Sequence, residues 1–137
     1  MLDSWFSRGA RFAPLLVRLG VGIVAVLHGW PKMKDLASFI THVEKLGLPL
    51  APVFGTAAAL SEFLGGIALI LGLFGRYAAF FFACVMAVAV FRVHLPNGFS
   101  AKANGYEYPL TLLIASLSLI LSGSGPLSLD RLFGRKK

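Results

Sequence analysis

Glu62 is the single charged residue in the apolar run 52–74. A carboxylate in such a run needs a cation or a proton, so it can anchor a polar ligand or relay protons. Partners of the right type stand at the ends of two other apolar runs. His28 and Lys32 close the run 13–31, and Arg92 and His94 close the run 77–95. Glu107 opens a fourth run at 108–122, Arg18 interrupts the first, and Arg76 sits in the turn after the second. Lys32, Arg92 or His28 could donate to a ligand carbonyl, with Glu62 moving the proton.

Other chemistries find less support. His28 and His94 could ligate a metal or haem, but two histidines without a surrounding ligand set point weakly to either. No metal site and no intrinsic cofactor is expected. No phosphate-binding glycine loop, zinc pattern or serine–histidine–acid signature occurs. The single cysteine, Cys84, cannot form an intramolecular disulfide or a dithiol relay, which excludes a thiol-exchange enzyme acting alone. It is expected to be a small buried hydrophobe in the run 80–91. His42 is expected to be solvated, and Glu107 could simply favour a helix N-terminus.

The elements that position these groups follow from composition. Of 137 residues, 57% are hydrophobic and 14% charged, against roughly 25% charged in soluble domains. A soluble chain of this length could not hide so much apolar surface. The expected fold is therefore an all-α membrane protein, a four-helix transmembrane bundle forming one domain over residues 1–137. Its spans are 13–31, 52–74, 77–95 and 108–122, the last rather short for the roughly 20 residues a crossing takes. The first span does not read as a cleavable signal peptide, because Arg18 lies inside it and no small-residue cleavage site follows.

Gly72-Leu73-Phe74-Gly75-Arg76 makes a tight turn, and Pro96-Asn97-Gly98 and Asn104-Gly105 carry turn chemistry. In the polar connection 32–51, Leu36, Phe39, Ile40, Val43 and Leu46 recur at helical spacing. They predict a short amphipathic helix on the membrane surface, stopped by Gly47 and Pro49.

The net charge is +7, with Arg8, Arg11, Arg76, Arg131, Arg135, Lys136 and Lys137 on one side of a four-span topology. Lys32, Lys34, Lys45, Arg92 and Lys102 fall on the other. The bias places both termini in the cytoplasm. No basic stripe interleaves with aromatics, so nucleic acid is not an expected partner.

Helical side chains lean toward their own N-terminus. Lys32 and Arg92 thus lean into the membrane, and Glu62, on an oppositely running helix, leans toward them. The expected cluster is Glu62 with Lys32 or Arg92, and His28 beside them. Arg18 leans toward the cytoplasm, either snorkelling or pairing within the bundle. Arg18, Gly22, Ala25, Gly29 and Lys32 share one stripe, as do Glu62, Gly65, Gly66, Leu69 and Gly72. Small residues let membrane helices approach closely, so the charges face the bundle. They could equally serve only to fix helix register.

The ordered set Arg18-Leu19-Gly20-Val21-Gly22, His28-Gly29-Trp30-Pro31-Lys32, Ser61-Glu62-Phe63-Leu64-Gly65-Gly66 and Leu71–Arg76 resembles the DoxX family of small bacterial membrane proteins. Gly105-Tyr106-Glu107, Gly123-Ser124-Gly125 and Ser128-Leu129-Asp130 extend the resemblance over nearly the whole chain. It implies four transmembrane helices in the bacterial cytoplasmic (inner) membrane. It also implies a link to quinone-dependent oxidoreductases, to thiol and oxidative-stress complexes, or to quinone and catechol detoxification. The family's pattern falls on Arg18, His28, Lys32, Glu62, Arg76, His94 and Glu107, without assigning catalytic roles.

Three functions stay open. One is a redox-linked subunit binding a quinone or similar lipophilic molecule. Another is a non-catalytic scaffold for a membrane or soluble oxidoreductase. The third is a small transporter or proton pathway, which with four spans would call for a homo-oligomer. In every case the lipid bilayer is a partner.

Overall fold

The computed structural model describes residues 2–134, which contain helices, turns and loops and no strand. Arg135, Lys136 and Lys137 lie outside the described residues. The helices are α1 (Leu2–Ala10), α2 (Ala13–Lys34), α3 (Leu36–Lys45), α4 (Ala51–Leu71), α5 (Gly75–Val88), α6 (Glu107–Ser122) and α7 (Leu129–Gly134). A π-helical turn, Ala89–His94, continues α5. Three helical stretches are long and apolar enough to cross a membrane: Phe6–Lys34, Ala51–Leu71 and Gly75–Asn97. Glu107–Ser122 is a shorter apolar helix.

Local chemistry sets the boundaries. Pro14 and Pro52 stand in the first turns of α2 and α4, where a missing N–H costs nothing. Gly72 ends α4 in a left-handed conformation at φ 66°. Pro31 does not stop α2, which runs on to Lys34 and delivers Lys32 from its last turn. Asp35 caps α3 by accepting from the Ser38 amide at 3.1 Å.

The long helices close a ring: α2 packs on α4, α4 on α5, α5 on α6, and α6 back on α2. Glycine makes the tightest of these contacts. A Cβ on Gly22 would lie 2.8 Å from the Gly66 carbonyl, and one on Gly66 would lie 2.8 Å from the Val26 amide. The backbones of α2 and α4 therefore touch, as small-residue stripes allow. Helix α3 lies against the start of α4, with Ile40 and Val43 over Gly55. Val21, Ala25, Leu69, Phe82 and Leu119 fill the ring.

The outer surface is as apolar as the core, and two charged side chains are buried within it. Leu16, Phe80, Phe81 and Leu121 point outward, the last 80% exposed, whereas Arg18 and Glu62 are each 1% exposed. An apolar belt around buried charges is the arrangement lipid demands. Cys84 belongs to that belt: it is exposed, not buried as its apolar surroundings suggested. A residue in a hydrophobic run need not face the protein when hydrocarbon is the solvent.

Candidate functional site

The two ends of the ring hold different polar chemistry. At the end where α2 begins and α4 finishes, Arg18 reaches across the bundle. Its Nη1 donates to the carbonyls of Leu69 at 2.9 Å and Ile70 at 2.7 Å, and its Nη2 to that of Leu127 at 2.5 Å. The last carbonyls of a helix have no partner within it and carry partial negative charge. Arg18 therefore caps α4 and pairs within the bundle instead of snorkelling. Its Nε is buried without a protein partner among the described residues.

Asp130 performs the complementary task beside it. Its carboxylate accepts from the first amides of α5, Phe74 at 2.6 Å and Gly75 at 2.9 Å, and from the Ser124 hydroxyl at 2.6 Å. Burial pushes this carboxyl up, but those three bonds and the Arg18 charge outweigh burial and hold it below the usual carboxylate range. Exposed Arg76 lies with Asp130 and Ser124 around a cavity of about 380 Å³. The chain after α6 thus ties this end together.

The opposite end holds the candidate ligand site. Lys32 Nζ donates to both oxygens of Glu62 at 2.6 Å. Glu62 is buried, whereas the Lys32 side chain keeps 27% of its exposure. The Lys32 ammonium also stands 4.8 Å from the Phe39 ring centroid, within cation–π range. The pair borders a cavity of about 350 Å³ whose lining includes His28, His94, Asn104 and Tyr108. Phe82 and Met86 from α5 and Leu112 from α6 supply apolar wall. The His28 and Tyr108 rings lie 6.1 Å apart, tilted at 40°.

The cavity gathers His28, Lys32, Glu62 and His94 and leaves out Arg92 and Glu107. Arg92 is exposed and makes no bond to Glu62. The π-helical turn explains the difference. In an unbroken α-helix the face bearing Met86 would return at residue 93. Bonding from i to i+5 advances the face by one residue, to His94, and carries Arg92 outward. Glu107 instead accepts from the Ala101 amide at 2.8 Å, bracing the loop before α6. His42 is exposed on α3.

Sequence reading missed Asn104. Its carbonyl accepts from His94 Nδ1 at 2.8 Å and from Asn97 Nδ2 at 3.1 Å. Asn104 adopts a left-handed backbone at φ 58°. Asn-Gly signalled a turn, but nothing in it signalled a histidine partner. Among the described residues no three of His, Cys, Asp and Glu come together as a metal site.

The site's charge balance is informative. Lys32 and Glu62 neutralise each other at contact distance, so a ligand meets polar groups and little net charge. Apolar walls with a few convergent polar groups are the ordinary form of a small-molecule site.

A helical ring with charges inside and an apolar belt outside defines a multi-pass membrane protein. The chain belongs to the DoxX family, whose sequence profile matches residues 13–95. It is 33% identical over 124 residues to a Bacillus subtilis protein named "Putative oxidoreductase CatD", covering 90% of this chain and 89% of that one. An uncharacterized Haemophilus influenzae protein is 36% identical over 124 residues, covering 88% of this chain and 90% of its own length. The Escherichia coli "Inner membrane protein YqjF" is 29% identical over 126 residues, covering 89% and 92%. No solved structure matches the chain.

Proposed function

We infer that the protein crosses a bacterial inner membrane four times and binds an uncharged lipophilic molecule, such as a quinone, as a redox-linked subunit. The observation that carries the reading is the cavity of about 350 Å³ beside the self-neutralised Lys32–Glu62 pair. Largely apolar walls select an apolar body, and the mutual neutralisation of the pair disfavours a charged head. The name given to the B. subtilis relative supports a redox setting. The name of the E. coli relative supports the location. Electrons would come from the ligand or from a partner oxidoreductase.

Helix α6 makes the fourth crossing in this reading. Its 16 residues span about 24 Å, and the loop before it extends the path at the membrane surface, where α3 also lies. Both termini are then cytoplasmic. Lys32 is consumed by Glu62, so it counts little as a loop charge. That leaves Arg8, Arg11, Arg76 and Arg131 against Lys34, Lys45, Arg92 and Lys102, with Arg135, Lys136 and Lys137 adding to the terminal side. Single cysteines introduced at Ser38 and Leu132 in a Cys84→Ser background should label from opposite faces of the membrane. Labelling from one face would remove the four-span topology.

A scaffold reading keeps one observation in its favour: the Lys32–Glu62 pair sits where α2 and α4 touch, and a buried pair can fix register. Native mass spectrometry with lipid extraction decides between the two. A lipophilic molecule should accompany the gently purified wild type and be lost from Glu62→Gln. An empty wild-type protein that brings down a soluble partner would reverse the choice.

A further inference from the structure

His94 carries a proton assignment that the rest of the cavity does not. A carbonyl oxygen can only accept, so the 2.8 Å contact between His94 Nδ1 and the Asn104 carbonyl requires Nδ1 to be the protonated nitrogen. In the neutral ring Nε2 is then a bare lone pair. Nε2 has no protein partner among the described residues, and the residue lines the cavity. The Asn104 amide oxygen, the Tyr108 hydroxyl and a His28 ring nitrogen can also accept there, but among the described residues only His94 has its acceptor nitrogen fixed by a partner on the other side of the ring. Lys32 Nζ is an ammonium with no acceptor capacity, and Glu62 is already engaged by it at both oxygens.

We propose that His94 Nε2 is the oriented hydrogen-bond acceptor of this cavity and that the site selects a ligand bearing a hydroxyl group, in the manner of a phenol or hydroquinone. This rests on the reading of the cavity as a site for an uncharged lipophilic molecule and names the chemistry of that molecule's head. The ligand O–H donates to His94 Nε2. The same oxygen's lone pair remains free to accept from the Lys32 ammonium. Asn104 is a positioning residue: its carbonyl holds the ring in one tautomer and one orientation.

Two further features converge on His94. The π-helical turn Ala89–His94 is what rotates it onto the cavity face, and such turns recur at functional sites. Asn104 holds its carbonyl in place through a left-handed backbone at φ 58°, and Asn97 donates to the same oxygen. Asparagine adopts the left-handed region more readily than other non-glycine residues, so the turn presents the carbonyl without strain.

The test uses the full chain in detergent, labelled with 15N-histidine, and two probes: 4-octylphenol and its methyl ether, 4-octylanisole. His42→Gln and His28→Gln, each made separately, assign the His94 signals by elimination. The expected result is a His94 ring with Nδ1 protonated and Nε2 bare. The Nε2 signal should move with the phenol and stay with the ether, and titration should give a phenol preference of about tenfold, the size of one hydrogen bond. Both probes binding equally would overturn the hydroxyl selection and leave the cavity reading standing. A bare Nδ1 with a protonated Nε2 would overturn the assignment itself. Neither probe binding anywhere would overturn the cavity reading as well.

Discussion

A Cβ built on Gly29 would lie 2.9 Å from the Glu62 Cβ and 2.5 Å from the Phe63 amide nitrogen, so the helix carrying Lys32 meets the helix carrying Glu62 backbone to backbone. That approach is what allows Lys32, one turn further along α2, to engage both Glu62 oxygens. The added methyl of Gly29→Ala has no side-chain end to displace, only backbone, so α2 and α4 must move apart. Overpacking of this kind costs about 1–3 kcal/mol. Gly29→Ala should lower the thermal midpoint in detergent. Gly20→Ala, where nothing lies within 4 Å of the added carbon, should leave it unchanged or slightly raised.

Arg18 joins the end of α4 to the chain after α6 through three carbonyls on two segments. Lysine carries the same charge on a single nitrogen and cannot span both segments as the guanidinium fork does. Each bond from a charged donor contributes about 1.5–3 kcal/mol. Arg18→Lys should therefore destabilise the protein clearly and expose the segment after Ser122 to limited proteolysis. Arg76→Lys, at an exposed position, is the control and should do neither.

The contrast between these sites explains what the sequence made legible. Glu62 and Lys32 were readable because each is a charge in an apolar run, helical spacing fixed their faces, and the direction of side chains fixed their depth. The partners of Arg18 and His94 were not readable because they are backbone carbonyls, and every residue has one. Arg92 was misplaced because its face depends on a π-helical turn, and the run 77–95 has no glycine or proline to announce a break in register. Cys84 was misplaced because hydrophobicity alone does not separate a lipid-facing position from a core one. Helices α1 and α7 also went unforeseen: they are short, and α7 follows the very Gly-Pro-rich segment that suggests an irregular end.

Asp130 gives the molecule a dependence on pH at the end where α4 finishes and α5 begins. Its folded carboxyl titrates below the usual range, because the Ser124 hydroxyl, the Gly75 and Phe74 amides and the Arg18 charge outweigh its burial. A depressed folded value means that its contribution to stability is full above the unfolded carboxylate pKa and is lost as pH falls through the folded one. Thermal midpoints of wild type and Asp130→Asn, compared from about pH 7 to about pH 3, should differ most at neutral pH and converge in acid. A constant difference would mean that the carboxylate charge is not what holds the start of α5.

The Lys32–Glu62 pair can be asked whether it serves packing, binding or both. Removing one partner leaves the other charge without its counterion in an apolar setting, whereas removing both leaves two neutral side chains. Lys32→Met and Glu62→Gln should each destabilise, and the double variant should recover part of the loss. The coupling should be about 0.5–3 kcal/mol, the range for residues in direct contact, with the lower half expected because Lys32 keeps 27% of its exposure. Ligand retention read on the same four proteins separates the roles. A pair used only for packing would restore retention in step with stability in the double variant. A pair that engages the ligand leaves the double variant stable and empty, because the Lys32 donor that lines the cavity with His94 is gone. Stability recovered without the ligand is the expected outcome.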